Sequence, residues 1–262
     1  MIQFKTVELS DKPWMDEIIF AENSRSADFN FGNIYMWDRH YNQLVARLGD
    51  RMVTMLGYNA CSFFAFPIGT GPLVPAIEKL REYSKELGCP FVLRGVTSKH
   101  KEMLEQDFPG KFSFTPDTDY FDYVYLAEKL ATLTGKKLHS KRNHIHRFEE
   151  TNDWRFEPLG KELFPACQKL LSEWTVDEGD SYKESLLKEH EAIDCALANY
   201  DALGLEGGVL FSGDKLVAFT IGEKICDDTF NVHFEKSYWD IQGAYPMINR
   251  EFVRYIMKMH PE

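Results

Sequence analysis

The chain has 262 residues, of which 44% are hydrophobic, and this supplies enough apolar material for one large domain or for two of about 130 residues. Its five cysteines show no C-x-x-C spacing, which argues for reduced thiols and against a disulfide framework or a zinc site. The net charge is −11, no signal-peptide layout opens the sequence, and no apolar run reaches the ~18 residues of a membrane span, so we expect a soluble cytoplasmic protein.

The first half of the chain predicts short strands that lead through a loop into an amphipathic helix. The strands cover, in chain order, residues 43–48, 51–56, 61–66 and 90–96, the last of them buried. Gly49-Asp50 joins the first two strands as in a hairpin. The turn-rich loop 67–72 opens the helix 75–87, whose apolar residues recur at helical spacing. Upstream, the aromatic-rich segment 29–37 predicts a packed helix rather than a platform for stacked bases.

The middle of the chain predicts one strand and several helices. The strand covers residues 120–125, and an extended segment covers residues 154–160. A polar helical stretch begins at residue 128, and further helical patterns cover residues 161–174 and 182–200.

The second half repeats the order of the first. Strands are predicted over residues 209–211, 216–225 and 229–235. A glycine-containing loop, 242–246, then opens the helix 247–259, and Gly213-Asp214 stands at the hairpin as Gly49-Asp50 does in the first half. The first half continues from its helix into another strand, whereas the second half ends at residue 262, so we expect a second unit truncated by one strand.

A block of positive charge follows Gly135. Residues 136–147 contain three of the eight histidines and five cations, with no acidic residue among them. The cations are Lys136, Lys137, Lys141, Arg142 and Arg147. A solvated helix face normally mixes both signs, so this block predicts a polyanion site for phosphate, tRNA or an anionic lipid head group. The alternative is a basic surface helix that balances acidic neighbours, and the sequence leaves both open.

Four stretches of the chain resemble a known family. They are residues 119–125, 133–137 together with 141–148, 232–236 and 243–251. These stretches are similar to the phosphatidylglycerol lysyltransferase C-terminal domain family, and the resemblance covers nearly the whole chain. In addition, three antiparallel strands, a loop with glycine and a helix form the core order of the GNAT acyltransferase fold. Two such units in one chain resemble the tandem arrangement of FemABX aminoacyltransferases.

The resemblance implies an α+β fold of two tandem GNAT-like units, with mixed, mostly antiparallel sheets flanked by helices. We expect the units to cover residues 1–126 and 127–262, with the basic helix at the start of the second. The implied activity is transfer of an aminoacyl group, with aminoacyl-tRNA as a candidate donor and a lipid, peptide or small molecule as acceptor. The alternatives are an acetyl-CoA-dependent N-acetyltransferase and a non-catalytic protein that binds tRNA or anionic lipid.

The loop before the last helix is where a GNAT enzyme would hold the pyrophosphate of coenzyme A, because backbone N–H groups at a helix start bind anions. The substrate-binding residues predicted in this region are Gly243, Ala244, Tyr245, Asn249 and Arg250. Asp240 stands where the CoA pattern expects a cation or an amide, and bulky Tyr245 stands where it expects a small residue, so acetyl-CoA is the less favoured donor. An ordinary glycine turn before a helix explains the loop equally well.

The predicted strand 229–235 alternates polar and apolar residues. A two-residue period puts Thr229, Asn231, His233 and Glu235 on one face. His233 could accept a proton from an attacking amine while Glu235 orients it, or Glu235 could bind a cationic aminoacyl group, with Asn231 beside the substrate. The alternative is a solvent-facing side of a strand whose histidine is only hydrogen-bonded. No metal site is predicted.

Overall fold

A computed structural model describes residues 2–57, 62–174 and 180–261 of the chain. Helices and sheets are both present, so the predicted α+β class is confirmed. The chain divides into two compact units, Met1–Asp122 and Tyr123–Glu262. None of the helices in the described ranges combines the length and the apolar character that a membrane span requires.

The first unit is built around one mixed sheet. Its strands are β1 (Lys5–Thr6), β2 (Leu44–Arg47), β3 (Arg51–Leu56), β4 (Phe63–Ala65), β5 (Ile68–Gly69) and β6 (Leu93–Arg94). Its helices are α1 (Lys12–Glu22), α2 (Phe31–Tyr41), α3 (Leu73–Glu86) and α4 (Ser98–Asp107). The strand order is β1-β2-β3-β4-β6 with β5 paired to β3, and only β4 and β6 pair in parallel among these described strands.

The predicted hairpin and helix of the first unit are in place. Gly49 has a φ of +68° and makes the tight turn between β2 and β3. Leu80 of α3 packs against a sheet face that includes Val53 and Phe64. Phe31 in the aromatic-rich segment is buried on α2, as a packed helix requires. Cys61, at the start of the predicted third strand, lies outside the described residues.

One strand prediction is wrong, and another strand is shorter and less buried than predicted. Over residues 90–96 only Leu93–Arg94 pairs, at the sheet edge, because Gly95 takes a left-handed φ of +63° and turns the chain away. Residues 120–125 pair with no strand among the residues that the structure describes, and Tyr123 is 87% exposed. Both segments have strand-like composition, but strand formation depends on an available sheet edge as much as on composition.

A charged cluster holds the loop before α3 in the first unit. The buried side chain of Glu22 accepts a hydrogen bond from the Gly69 backbone N–H at 2.9 Å. Its other oxygen, Oε1, lies 2.8 Å from Lys99 Nζ and 3.2 Å from His100 Nε2. Burial alone would raise the pKa of Glu22, but the bonds from His100, Lys99 and Gly69 outweigh burial and lower the pKa to about 2.

The second unit carries one antiparallel sheet with the order β10-β9-β8-β7. The strands are β7 (Trp154–Pro158), β8 (Glu206–Ser212), β9 (Lys215–Cys226) and β10 (Thr229–Ser237). The helices are α5 (Ala127–Thr132), α6 (His139–Thr151), α7 (Phe164–Trp174), α8 (Asp180–Ala198), α9 (Tyr200–Leu203) and α10 (Ala244–Met259). Three antiparallel strands, a glycine loop and a helix therefore follow one another as predicted.

The core of the second unit lies where α6 and α10 meet the sheet. Phe148 of α6 and Met247 of α10 pack with Leu210 and Ala218, and all four side chains are buried. This packing fixes the start of α10 against the end of β10, so polar residues at these two termini are brought together.

Candidate active site

Glu235 of β10 is a half-buried carboxyl that reaches α10. Its Oε2 accepts a hydrogen bond from Asn249 Nδ2 at 3.0 Å. Burial raises the pKa of Glu235 to about 7, although the Asn249 bond and the positive charge of Lys141 oppose the rise. A carboxyl that titrates near neutral pH can both accept and return a proton, which suits general acid–base chemistry.

Tyr245 in the first turn of α10 belongs to the same site. Burial raises the pKa of the Tyr245 hydroxyl; a hydrogen bond from the Ser237 backbone opposes this rise, and the charges of Glu235 and Glu189 add to it. The phenol therefore stays protonated at neutral pH. The site thus combines a titratable carboxyl, an amide and a phenol at the junction of β10 and α10.

The alternation of β10 is interrupted at His233. Val232 pairs with Gly222, and the next pair in the ladder joins Phe234 to Ile221, so the register skips His233. One extra residue of this kind is a β-bulge, which shifts all following side chains to the opposite face.

Because of this bulge, the prediction that Asn231 and Glu235 lie on the same face of β10 is wrong. Asn231 lies opposite Glu223, whereas Glu235 lies opposite Thr220. Glu223 and Thr220 are three residues apart in β9 and point to opposite faces, so Asn231 and Glu235 do as well. Lys236, which follows Glu235, accordingly reaches α8 and not α10.

The side chain of His233 is engaged at both ring nitrogens. Nε2 lies 2.8 Å from Glu223 Oε1, and Nδ1 lies 3.1 Å from Asn231 Nδ2. The side chains of His233 and Glu223 are only 2% and 8% exposed. This geometry supports the hydrogen-bonded alternative over a histidine that accepts a proton from substrate.

Glu223 is not among the predicted site residues. The available signal was a single acidic residue in the predicted strand 216–225, directly across the hairpin from the polar residues of the next strand. A regular ladder from the turn pair Thr229–Cys226 would place Asn231 opposite Lys224, and the register shift between Thr229 and Phe230 brings it opposite Glu223.

The loop before α10 packs closely against α6. Gly243 has a φ of +90°, and a Cβ at this position would lie 2.3 Å from the His144 carbonyl oxygen and 2.9 Å from Phe148 Cβ. Ala244 is fully buried. Packing alone therefore accounts for the small residues of this loop, which supports the ordinary-turn alternative over a cradle for coenzyme A.

The predicted polyanion residues have two different environments. Lys136, Lys137, Lys141 and Arg147 are exposed. Arg142 instead donates hydrogen bonds to the carbonyl oxygens of Leu133 and Gly135, the latter at 2.9 Å. Arg142 therefore caps the end of α5, and the exposed charge of the run comes from its neighbours.

Arg250 joins two helices. Its guanidinium lies 2.6 Å from Glu149 of α6 and 2.7 Å from Glu251, and the side chain is 12% exposed. Two carboxylates at this distance satisfy much of its donor capacity, which fits a structural role in holding α10 to α6.

Comparison with known proteins gives one family. The family model described as "Phosphatidylglycerol lysyltransferase, C-terminal" matches residues 20–260. The crystal structure of a conserved protein of unknown function from Bacteroides thetaiotaomicron is 36% identical, with a TM-score of 0.93 over 99% of this chain and 88% of that chain. A search of curated proteins gave no match.

Two more distant structures share the fold. The C-terminal domain of an Agrobacterium fabrum protein described as a lysylphosphatidylglycerol synthetase is 14% identical, with a TM-score of 0.60 over 96% of this chain and 76% of that chain. L-PGS from Bacillus licheniformis is 14% identical, with a TM-score of 0.51 over 98% of this chain and 71% of that chain. Because the family match spans most of the sequence, the chain belongs to the phosphatidylglycerol lysyltransferase C-terminal family.

Proposed function

We propose that this chain is an aminoacyltransferase in which Glu235 is the general base. The observation that carries the proposal is the half-buried Glu235 carboxyl, whose pKa is raised to about 7 where β10 meets α10. Membership of a family described as a lysyltransferase supports transfer of an aminoacyl group as the reaction.

The proposed donor is aminoacyl-tRNA, in which an ester joins the amino acid to the terminal ribose. The acceptor hydroxyl or amine attacks the ester carbonyl carbon while the Glu235 carboxylate takes its proton. Collapse of the tetrahedral intermediate breaks the bond to the ribose oxygen, which leaves with the proton held by Glu235. The amino acid is then bonded to the acceptor, and the carboxylate is regenerated.

The raised pKa of Glu235 favours proton transfer over the alternative of binding a cationic aminoacyl group. With a pKa of about 7, roughly half of the carboxyls are neutral at pH 7 and would attract a cation weakly. The same pKa lets the carboxylate accept a proton and release it within one turnover.

The exposed cations of the basic run fit an anionic substrate. Lys136, Lys137, Lys141 and Arg147 can contact phosphates of tRNA or of a lipid head group. Lys141 is near enough to Glu235 for its charge to affect the pKa of the carboxyl. Since the family description names phosphatidylglycerol, an anionic phospholipid is the first acceptor to test.

A direct assay tests the proposal. Purified protein would be incubated with radiolabelled lysyl-tRNA, or with a mixture of labelled aminoacyl-tRNAs, and vesicles containing phosphatidylglycerol. We expect label in the lipid fraction and a loss of at least about 100-fold in Glu235→Gln. Glu206→Gln is the matched control, because Glu206 pairs with His260 elsewhere in the second unit. Full transfer by Glu235→Gln, or no transfer to any acceptor by the unmodified chain, would reject the function.

A further inference from the structure

We infer that His233 is a positioning residue: it holds the β-bulge of β10 between Glu223 and Asn231, and the bulge turns Glu235 toward α10. This role of His233 rests on the proposed function of Glu235. It differs from the catalytic role that the sequence suggested, because here His233 acts through the backbone of β10.

The pairing of β10 with β9 shows where Glu235 would lie with and without the bulge. If β10 continued from the Val232–Gly222 pair without an extra residue, Glu235 would lie opposite Phe219. Phe219 is fully buried, and Glu235 would share its face of the sheet. With the bulge, Glu235 lies opposite Thr220 and within hydrogen-bond distance of Asn249.

The contacts of His233 give the second step. An extra residue breaks the regular ladder of a sheet, so it needs another source of stability. The His233 ring supplies this by bridging Glu223 on β9 to Asn231 on its own strand, at 2.8 Å and 3.1 Å. Because the cluster is buried, these hydrogen bonds are shielded from competing water.

Gly222 provides a third, independent step. A Cβ at Gly222 would lie 2.2 Å from the Asn231 carbonyl oxygen and 2.6 Å from the Phe230 ring. A side chain there would overlap the backbone of β10 just before the bulge. The absence of a side chain at Gly222 of β9 therefore leaves room for the irregular path of β10 that His233 stabilises.

The test measures the titration of Glu235 directly by NMR of protein labelled with ¹³C at glutamate carboxyls, with the signal assigned from its absence in Glu235→Gln. In His233→Ala we expect the pKa of Glu235 to rise from about 7 by more than about one pH unit, because the slipped strand places the carboxyl on the buried face of Phe219 and removes the Asn249 hydrogen bond. Glu223→Gln should shift it in the same direction by less. His233→Gln should restore much of the original value, since an amide can still bond Glu223.

His260→Ala is the matched control, because His260 also pairs with a glutamate, Glu206, at 2.5 Å in the same unit. It should leave the Glu235 titration unchanged. A folded His233→Ala with the original titration would overturn the positioning role, and if that variant does not fold, the same result in Glu223→Gln would do so. The NMR readout needs no activity, so failure of the transfer assay would reject the proposed function without touching this result.

Discussion

Asn249 donates its side-chain amide to Glu235 across 3.0 Å, so the last helix and the last strand of the second unit share a hydrogen-bonded pair. Asn249 was predicted from the sequence to bind substrate. That role stays a prediction, and the position of Asn249 on α10 also gives it control over the proton affinity of the carboxyl.

Replacing Asn249 with Leu should therefore raise the pKa of Glu235 above its present value of about 7. The amide bond favours the charged carboxylate, so its loss favours the protonated form. A base with a higher pKa is deprotonated only at higher pH, so the acidic limb of the transfer rate should move upward. Carboxyl NMR and a pH–rate profile measure the two effects, and a downward shift of either would contradict this assignment.

The exposed cations of the basic run should control binding of tRNA. Changing Lys136, Lys137 and Arg147 together to Ala should weaken binding and reduce the slope of log K against log salt by roughly two to three, because fewer counterions are released. Filter binding at several salt concentrations measures the slope. The control is Lys258→Ala, an exposed lysine at the end of α10. An unchanged slope in the triple variant would leave the basic run with only a structural role.

Arg142→Ala should behave differently from its neighbours. Because Arg142 caps the end of α5, its loss should lower the thermal midpoint of unfolding, with an energetic cost of about 1–3 kcal/mol. The salt slope of tRNA binding should change little. Calorimetry and filter binding on the same preparation separate these effects, and the reverse pattern would show that Arg142 contacts the ligand.

Gly243→Ala should destabilise the protein more than Gly213→Ala. Both glycines have positive φ, which costs about 1 kcal/mol for alanine. At Gly243 the added Cβ also overlaps the His144 carbonyl, which adds roughly 1–3 kcal/mol, whereas within the described residues a Cβ at Gly213 meets no atom within 4 Å. Urea unfolding compares the two variants. Equal stability would mean that α6 does not pack against this loop.

Glu22 should make stability fall in acid. Its folded pKa of about 2 lies below the ordinary 4.5, so its contribution is present above pH 4.5 and is lost as the pH falls toward 2. The contribution is roughly 3 kcal/mol. In Glu22→Gln, unfolding measured between pH 7 and pH 3 should show lower stability at pH 7 and a flatter decline. Glu105→Gln, at an exposed i,i+4 pair, should match the unmodified chain.

The regular elements of the second unit could be predicted because local signals determine them. Gly213-Asp214 is a turn signal between two apolar runs, and the helix after Gly243 has a clear apolar stripe, so the sequence predicts both. The face of Glu235 could not be predicted, since a strand of nine residues with a bulge has the same composition as one without. Only the pairing with β9 reveals that His233 is the extra residue.

Arg142 shows a second limit of sequence reasoning. It lies in the same basic run as Lys141, and composition treats the two alike. Their roles differ because the chain turns at Leu133, which has a left-handed φ, and directs the carbonyl groups of Leu133 and Gly135, just after α5, toward Arg142, whereas Lys141 stays at the surface. Such a difference depends on tertiary geometry, and no count of charges contains it.

The bulge at His233 means that β10 carries one residue more than a regular ladder against β9 requires. Loss of the His233 codon would place Phe234 directly after Val232, and the pairs Phe234–Ile221 and Glu235–Thr220 would then continue a regular ladder with their present faces. One residue inserted after Phe234 would instead exchange the faces of the later side chains, taking Glu235 away from Asn249 and Lys236 away from Glu189. Over evolutionary time, β10 should therefore tolerate loss of the bulge residue better than insertion of a residue beyond it.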